Sequence, residues 1–274
     1  MKKYLSFLKI EHTLFSLPMI YSGVFLASKE QPPVRLLILV LTAAVGARVV
    51  AMTLNRIIDR AIDKLNPRTM NRELPSGSMS LFQGYAVLVS GFALYLASAW
   101  FISPFCFYLS PIPLVVFVVY PYLKRFTPLA HFGVGMGLAM GPLGGWFAVT
   151  GSMANFDMAI ILPLFNLFWA TGFDIIYSTM DEQFDRKANL YSFPSRFGKK
   201  NALRISAVLH MLAFLMLLLL LLHTTRAMVA IPFLLLSGFL LYLEQKKAED
   251  VELAFFKINI AVGFNIFFMI MFIR

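Results

Sequence analysis

The sequence predicts an all-α, polytopic membrane protein with nine transmembrane helices. Three observations carry the helical membrane prediction. Hydrophobic residues make up 59% of the 274 positions and charged residues only 14%, with a mean hydropathy of +0.75. A soluble domain is nearer half apolar and a quarter charged. Too few charges remain here to cover a water-facing surface, so lipid must solvate most of the chain. The apolar residues also fall in runs long enough to cross about 30 Å of hydrocarbon, which takes about 20 helical residues. Lastly, the Lys and Arg residues between the runs are distributed asymmetrically.

The first run, 12–28, follows a basic amphipathic stub. It is longer than the apolar core of a cleavable signal, so it reads as a span. The second, 36–58, ends in the charged stretch "NRIID". The third and fourth, 81–102 and 105–123, are joined by the tight "SPF" turn and form a helical hairpin. The fifth, 131–150, holds "GVGMGLAMGPLGGW". No strand precedes these glycines, which argues against a nucleotide loop, whereas small residues let membrane helices approach closely. The sixth, 158–180, runs into "DIIYSTMDEQFD". The last three are 201–223, 227–243 and 253–272. Lys257 lies near the inner end of the ninth, where its stem can snorkel to the interface.

With the N-terminus inside, the inner loops carry Arg56, Arg60, Lys64, Arg68, Arg72, Lys124, Arg125, the basic residues from Arg186 to Arg204, and Lys246 and Lys247. The outer side carries only Lys29, Arg35, Arg226 and Arg274. Cytoplasmic loops gather such an excess. The pattern predicts an inner or plasma membrane protein with its N-terminus inside and its C-terminus outside. It also accounts for the net charge of +10 without a nucleic-acid partner. The single cysteine, Cys106, excludes an intramolecular disulfide framework. The chain is expected to form a single domain over 1–274.

Two inner loops, 59–80 and 181–200, are longer than a helix connection needs, and such loops are often functional. Asn55, Asp59 and Asp63 are spaced by four, and so are Tyr177, Asp181 and Asp185; the two sets are offset by 122 residues. Residues four apart share a helix face. Asn55, Asp59 and Asp63 would therefore line one stripe, and Asp174, Tyr177, Asp181 and Asp185 another. Stacked carboxylates repel, so a positive group must sit between them. Hard oxygen donors suit Mg²⁺, which binds through a few carboxylates plus substrate phosphates.

Charges at a headgroup surface would leave the doubled spacing accidental. An ion pathway through a transporter would place its acids nearer the bilayer centre, whereas these gather at one side. A membrane phosphotransferase would need a different acidic motif with an internal glycine.

Arg68, Arg72, Lys124, Arg125 and Lys187 flank the acids. Each alone suits a positive-inside anchor; together with the carboxylates they suit a metal–diphosphate cradle, since Arg forks grip phosphate oxygens. Arg48 lies inside the second span, where a charge normally faces a cavity or a partner. It reads either as half of an ion pair with Glu11 or Asp174, or as an anchor for an anionic substrate. His12 and His131 read as locally hydrogen-bonded residues.

These residues resemble the UbiA superfamily of intramembrane prenyltransferases. The signature "NxxxDxxxD" is matched by Asn55, Asp59 and Asp63, and "DxxYxxxDxxxD" by Asp174, Tyr177, Asp181 and Asp185. "RTMNRELPSG" is similar to the family's "RTxxRPLPSG", with Glu73 in place of the usual proline, and "YxxxK" is matched at Tyr120 and Lys124. The resemblance implies a lipid-open central cavity capped by the acidic loops. It also implies Mg²⁺-dependent transfer of a prenyl chain from a polyprenyl diphosphate. The implied metal set is Asn55, Asp59, Asp63, Asp181 and Asp185. The implied diphosphate set is Arg68, Arg72, Tyr120, Lys124 and Lys187, and the implied catalytic set is Asp174, Arg48 and Tyr177. The subgroup it looks most like prenylates 4-hydroxybenzoate, some members for ubiquinone; others take a dihydroxynaphthoate on a menaquinone route.

Overall fold

The computed structural model describes residues 2–9 and 13–274, except the side chains of Lys2, Leu5 and Phe15; Glu11 and His12 lie outside the described residues. Every regular element among those residues is helical. Eight helical stretches are long and apolar enough to cross a membrane, and an apolar helix of 15 residues, α2 (Thr13–Ala27), stands where the first span was expected. At 1.5 Å per residue α2 reaches only about 22 Å. The described residues thus offer eight helical stretches able to span a membrane and one shorter apolar helix in place of the ninth.

The helices follow the sequence in order. After α1 (Lys2–Leu8) and α2 come α3 (Val34–Ile58), α4 (Arg60–Leu65), α5 (Leu81–Ile102), α6 (Pro104–Leu109) and α7 (Pro111–Leu123). Then follow α8 (Ala130–Thr150), α9 (Phe156–Ala159), α10 (Ile161–Ser178), α11 (Glu182–Lys187), α12 (Phe193–Leu222), α13 (Ala227–Lys246) and α14 (Asn259–Ile273). Local chemistry fixes several ends. Ser80 and Gln83 form a capping box that starts α5, and Ser103 accepts the Cys106 amide at the start of α6. Such caps satisfy N–H groups that a helix leaves open. Gly151, in the left-handed region at φ 57°, closes α8.

The fourth span stands as Pro104–Leu123, with its hydrogen bonding interrupted at Ser110 between α6 and α7, because Pro111 cannot donate the next helical hydrogen bond. One expectation needs correction. The expected loop 181–200 is largely helical: a 3₁₀ turn (Thr179–Asp181), α11 and the first turns of α12. A Ser192–Ser195 capping box starts α12, and Gly198, at φ 78°, bends it. The other loop, 59–80, carries α4 and then a run of turns.

The core centres on α10, which is buried along most of its length. Phe165, Trp169 and Phe173 on α10 pack with Met19 of α2, Leu217 of α12 and Ile266 of α14 in one apolar cluster. A polar tie crosses it. Trp169 Nε1 donates to Asn259 Oδ1 at 2.8 Å, and Asn259 Nδ2 donates to Glu244 Oε1 at 3.1 Å. The glycines of α8 allow close approach as expected: a Cβ on Gly145 would strike the Ile20 backbone, and one on Gly133 the Tyr120 side chain. Gly144 faces open space. Together α3, α7, α8 and α10 surround a cavity.

Candidate active site

That cavity holds about 950 Å³ and runs from an apolar chamber, lined by Ala44, Phe117, Gly137 and Gly144, to a charged end. Asn55, Asp59, Asp63, Arg68, Arg72, Tyr120, Lys124, Asp174, Tyr177, Asp181, Asp185 and Arg48 all line it. The two motifs, far apart in sequence, therefore meet across one space.

The first motif keeps its spacing across a break in the helix. α3 ends at Ile58 and Asp59 leaves helical geometry, with φ −91° and ψ 1°. The hydrogen bonds nonetheless persist, from Asp59 N to Asn55 O at 3.0 Å and from Asp63 N to Asp59 O at 2.8 Å. Asn55 Nδ2 donates to Asp59 Oδ2 at 3.1 Å. Asp59 and Asp63 are 2% and 5% exposed, and each has a cation. Lys124 Nζ stands 2.7 Å from Asp59 Oδ2, and Arg72 Nη1 donates to both Asp63 oxygens at 2.9 Å. Burial pushes the Asp59 carboxyl above its usual value, against the pull of Lys124.

The second motif runs from α10 through the 3₁₀ turn into α11. Asp181 and Asp185 line the cavity, whereas Lys187, two residues past Asp185 and so on the opposite side of α11, is exposed and lies outside the lining. Lys187, expected in the diphosphate cradle, therefore stands apart from it. Arg68 Nε donates to Asp181 Oδ1 at 2.8 Å and its Nη2 grips Oδ2, while Nη1 donates to the Tyr177 hydroxyl at 2.8 Å. Burial works against the Arg68 charge, but the bonds to Asp181 and Tyr177 outweigh it and raise its pKa. The Tyr177 ring rests on Phe255, 4.4 Å between centroids.

Asp174 is held by His131, whose Nδ1 stands 2.6 Å from Asp174 Oδ2. The Phe193 amide donates to His131 Nε2 at 3.4 Å. With Nε2 accepting, the ring proton lies on Nδ1 and points at the carboxylate. Arg48, seven residues before Asn55 on α3, lines the chamber and donates from Nη2 to the Lys9 carbonyl at 3.1 Å. The Glu11 pairing lies outside the described residues. Arg125 does not line the cavity; it donates to the Ile58 carbonyl at 3.0 Å and ties α7 to the end of α3.

The positive groups expected between the stacked carboxylates include side chains of this chain. Among the described residues no three acidic, histidine or cysteine side chains converge as a ready metal cage. Repulsion is relieved pairwise instead, through Asp59–Lys124, Asp63–Arg72 and Asp181–Arg68. The donor set still fits a hard divalent cation. Several carboxylates share one wall, and Asp59 Oδ1 is buried yet accepts no hydrogen bond, with Arg125 Nη2 3.7 Å away. A cation that keeps its waters and needs only a few carboxylates can use such a wall.

Three lining residues escaped the sequence reading. Asn66 donates to Asp181 Oδ1 at 2.8 Å and accepts the Arg68 amide at 2.9 Å, so it fixes Arg68 from both sides; an Asn ahead of Pro67 was the available signal. His131, expected as a satisfied interface residue, reaches Asp174 only through folding. Arg56, read as a positive-inside charge, is 3% exposed and lines the cavity.

An apolar chamber within a helical bundle, bounded at one end by alternating carboxylates and cations, belongs to an integral membrane protein. Its family is found at the same level of detail: the chain belongs to the UbiA prenyltransferase family, whose profile matches residues 16–261. It is 34% identical to a UbiA homolog from Aeropyrum pernix K1, whose apo structure superposes with a TM-score of 0.88 over 96% of this chain and 98% of that one. A UbiA homolog from Archaeoglobus fulgidus bound to DMAPP and Mg²⁺ shares the fold, at 19% identity and a TM-score of 0.76 over 99% of this chain and 100% of that one. The 4-hydroxybenzoate octaprenyltransferase of Legionella pneumophila (strain Lens) is 30% identical over 191 residues, 68% of this chain and 66% of that protein.

Proposed function

We propose that the protein transfers a polyprenyl chain from polyprenyl diphosphate to an aromatic acid of the 4-hydroxybenzoate type, for quinone synthesis. One observation carries the reading: Arg68 of the first loop grips Asp181 and Tyr177 of the second motif, so both motifs act on one ligand at the mouth of an apolar chamber. The names of the Legionella relative and of the DMAPP- and Mg²⁺-bound Archaeoglobus homolog support the same chemistry.

The chamber takes the prenyl tail and excludes water, which would otherwise quench the allylic cation. Arg68, Arg72 and Lys124 bind the diphosphate oxygens, with Tyr120 beside them. When bound, Mg²⁺ would be held by Asp59, Asp63, Asp181 and Asp185 with Asn55, and would neutralise charge on the departing diphosphate. Arg48, two turns deeper on α3, holds the acceptor carboxylate. Tyr177 orients Arg68. The ring carbon beside the phenol attacks the allylic carbon as its carbon–oxygen bond to diphosphate breaks. Asp174, steadied by His131, takes the phenolic proton; the ring C–H proton then leaves to the released diphosphate, and Asp174 returns its proton to the oxygen to restore the phenol. The charged end lies at the cytoplasmic side, where the basic loops gather, with the N-terminus inside and the C-terminus outside.

The test is Mg²⁺-dependent release of diphosphate by the detergent-purified protein, given a polyprenyl diphosphate and 4-hydroxybenzoate, with products identified by mass spectrometry. A prenylated 4-hydroxybenzoate is expected. Product only with a dihydroxynaphthoate would move the acceptor to the menaquinone route. No diphosphate release with either acid would end the reading.

A further inference from the structure

The cations at the charged end are not equivalent. Arg68, Arg72 and Lys124 are each matched to a carboxylate, Asp181, Asp63 and Asp59. Arg56 is different. It occupies the last turn of α3, is 3% exposed, and lines the same cavity. Its Nε and Nη1 are buried and have no hydrogen-bond partner among the described residues. A buried charged donor left unsatisfied is costly, far more so than an unsatisfied neutral group. A chain keeps such a group where a ligand completes it.

Its height in the cavity selects the ligand. Arg56 follows Asn55 directly and lies within electrostatic reach of Asp63, Arg72 and Tyr177, at the level of the two motifs. Arg48, the chamber's deeper arginine, is two helical turns below. An anion beside Arg56 is therefore a charged head and not a ring carboxylate. Guanidinium donors in a fixed fork match the paired oxygens of a phosphate.

We propose that Arg56 is an anion-binding residue whose guanidinium binds the diphosphate group, shared by the prenyl donor and by the diphosphate released from it. This rests on the diphosphate-transfer reading above. Arg68, Arg72 and Lys124 share their charge with paired carboxylates, whereas Arg56 makes no ion pair among the described residues, and Asp63 and Glu73 act on it only at longer range. It holds the leaving group at the moment the carbon–oxygen bond breaks, and its donors are satisfied only while diphosphate is bound.

The test uses the full chain in detergent with Mg²⁺ present. Binding of inorganic diphosphate, geranyl diphosphate and 4-hydroxybenzoate is measured by calorimetry, and thermal stability is measured without ligand. Arg56→Gln is expected to weaken both diphosphate ligands at least tenfold and to leave 4-hydroxybenzoate within twofold. Its ligand-free melting temperature should match or exceed the parent's, because an unsatisfied buried charge is gone. Arg56→Lys keeps charge without the fork and should also bind diphosphate more weakly than the parent. Loss confined to geranyl diphosphate, with inorganic diphosphate unaffected, would overturn the assignment. So would Arg56→Lys at parental diphosphate affinity, or a lowered melting temperature with unchanged diphosphate binding. A parent protein that binds neither diphosphate ligand would sink the transfer reading itself.

Discussion

His131 on α8 and Asp174 on α10 form a 2.6 Å pair, Nδ1 to Oδ2, and the Phe193 amide fixes the ring tautomer from the other side. The pair joins two helices that flank the cavity and fixes the angle at which Asp174 faces it. On the proposed reading, this is the carboxylate that takes the phenolic proton.

Asp174→Asn should therefore lower kcat by roughly 10²–10⁴-fold, the usual contribution of a positioned acid or base. His131→Phe should lower it less. A hydrogen bond to a charged group contributes about 1.5–3 kcal/mol, which corresponds to roughly 10- to 150-fold. Steady-state kinetics at saturating concentrations of both substrates measures this. Parental kcat in His131→Phe would show that the pair is structural only.

Asp59→Asn and Asp181→Asn remove charge from the two motifs with little change in volume. Each should cost roughly 10²–10³-fold in turnover, the range for losing one preorganised electrostatic contact. The variants should elute and melt as folded proteins. Near-parental Mg²⁺-dependent turnover in either would remove that carboxylate from the site.

Arg48→Ala should raise the KM for the aromatic acid and hardly change that for polyprenyl diphosphate. Truncating one side of a buried charge pair costs about 2–5 kcal/mol, or roughly 30- to several-thousand-fold in affinity. Arg48→Lys should recover little, since it lacks the fork. The hydrogen bond to the Lys9 carbonyl adds a control: if that bond is the whole role, stability falls and both KM values stay put.

Two adjacent glycines make a packing test. A Cβ at Gly145 would strike the Ile20 carbonyl, while one at Gly144 meets nothing within 4 Å. Gly145→Ala should cost about 1–3 kcal/mol as an overpacked contact, and Gly144→Ala should be tolerated. Thermal denaturation of the two variants in one detergent compares them directly. Equal melting temperatures would mean that α2 and α8 do not pack this tightly.

The sequence by itself determined the solvent, the helices and the chemistry. With 14% charged residues the chain has no soluble alternative, and apolar runs in lipid must be helical because no water is present to satisfy the backbone. The spacing of Asn55, Asp59 and Asp63 predicts one wall, and the hydrogen bonds carry that register even through the break at Asp59. Tertiary structure alone decided the partners. Arg68 meets Asp181 across 113 residues, and His131 meets Asp174 across 43; no local pattern encodes either meeting. It also decided which charges face inward. Packing turns the Asp185 side of α11 to the cavity and leaves Lys187, on the opposite side, exposed, and packing at the end of α3 buries Arg56, which in sequence looks like any other inner-side arginine. Spacing along a helix fixes which residues share a face; the direction that face points is set by its neighbours.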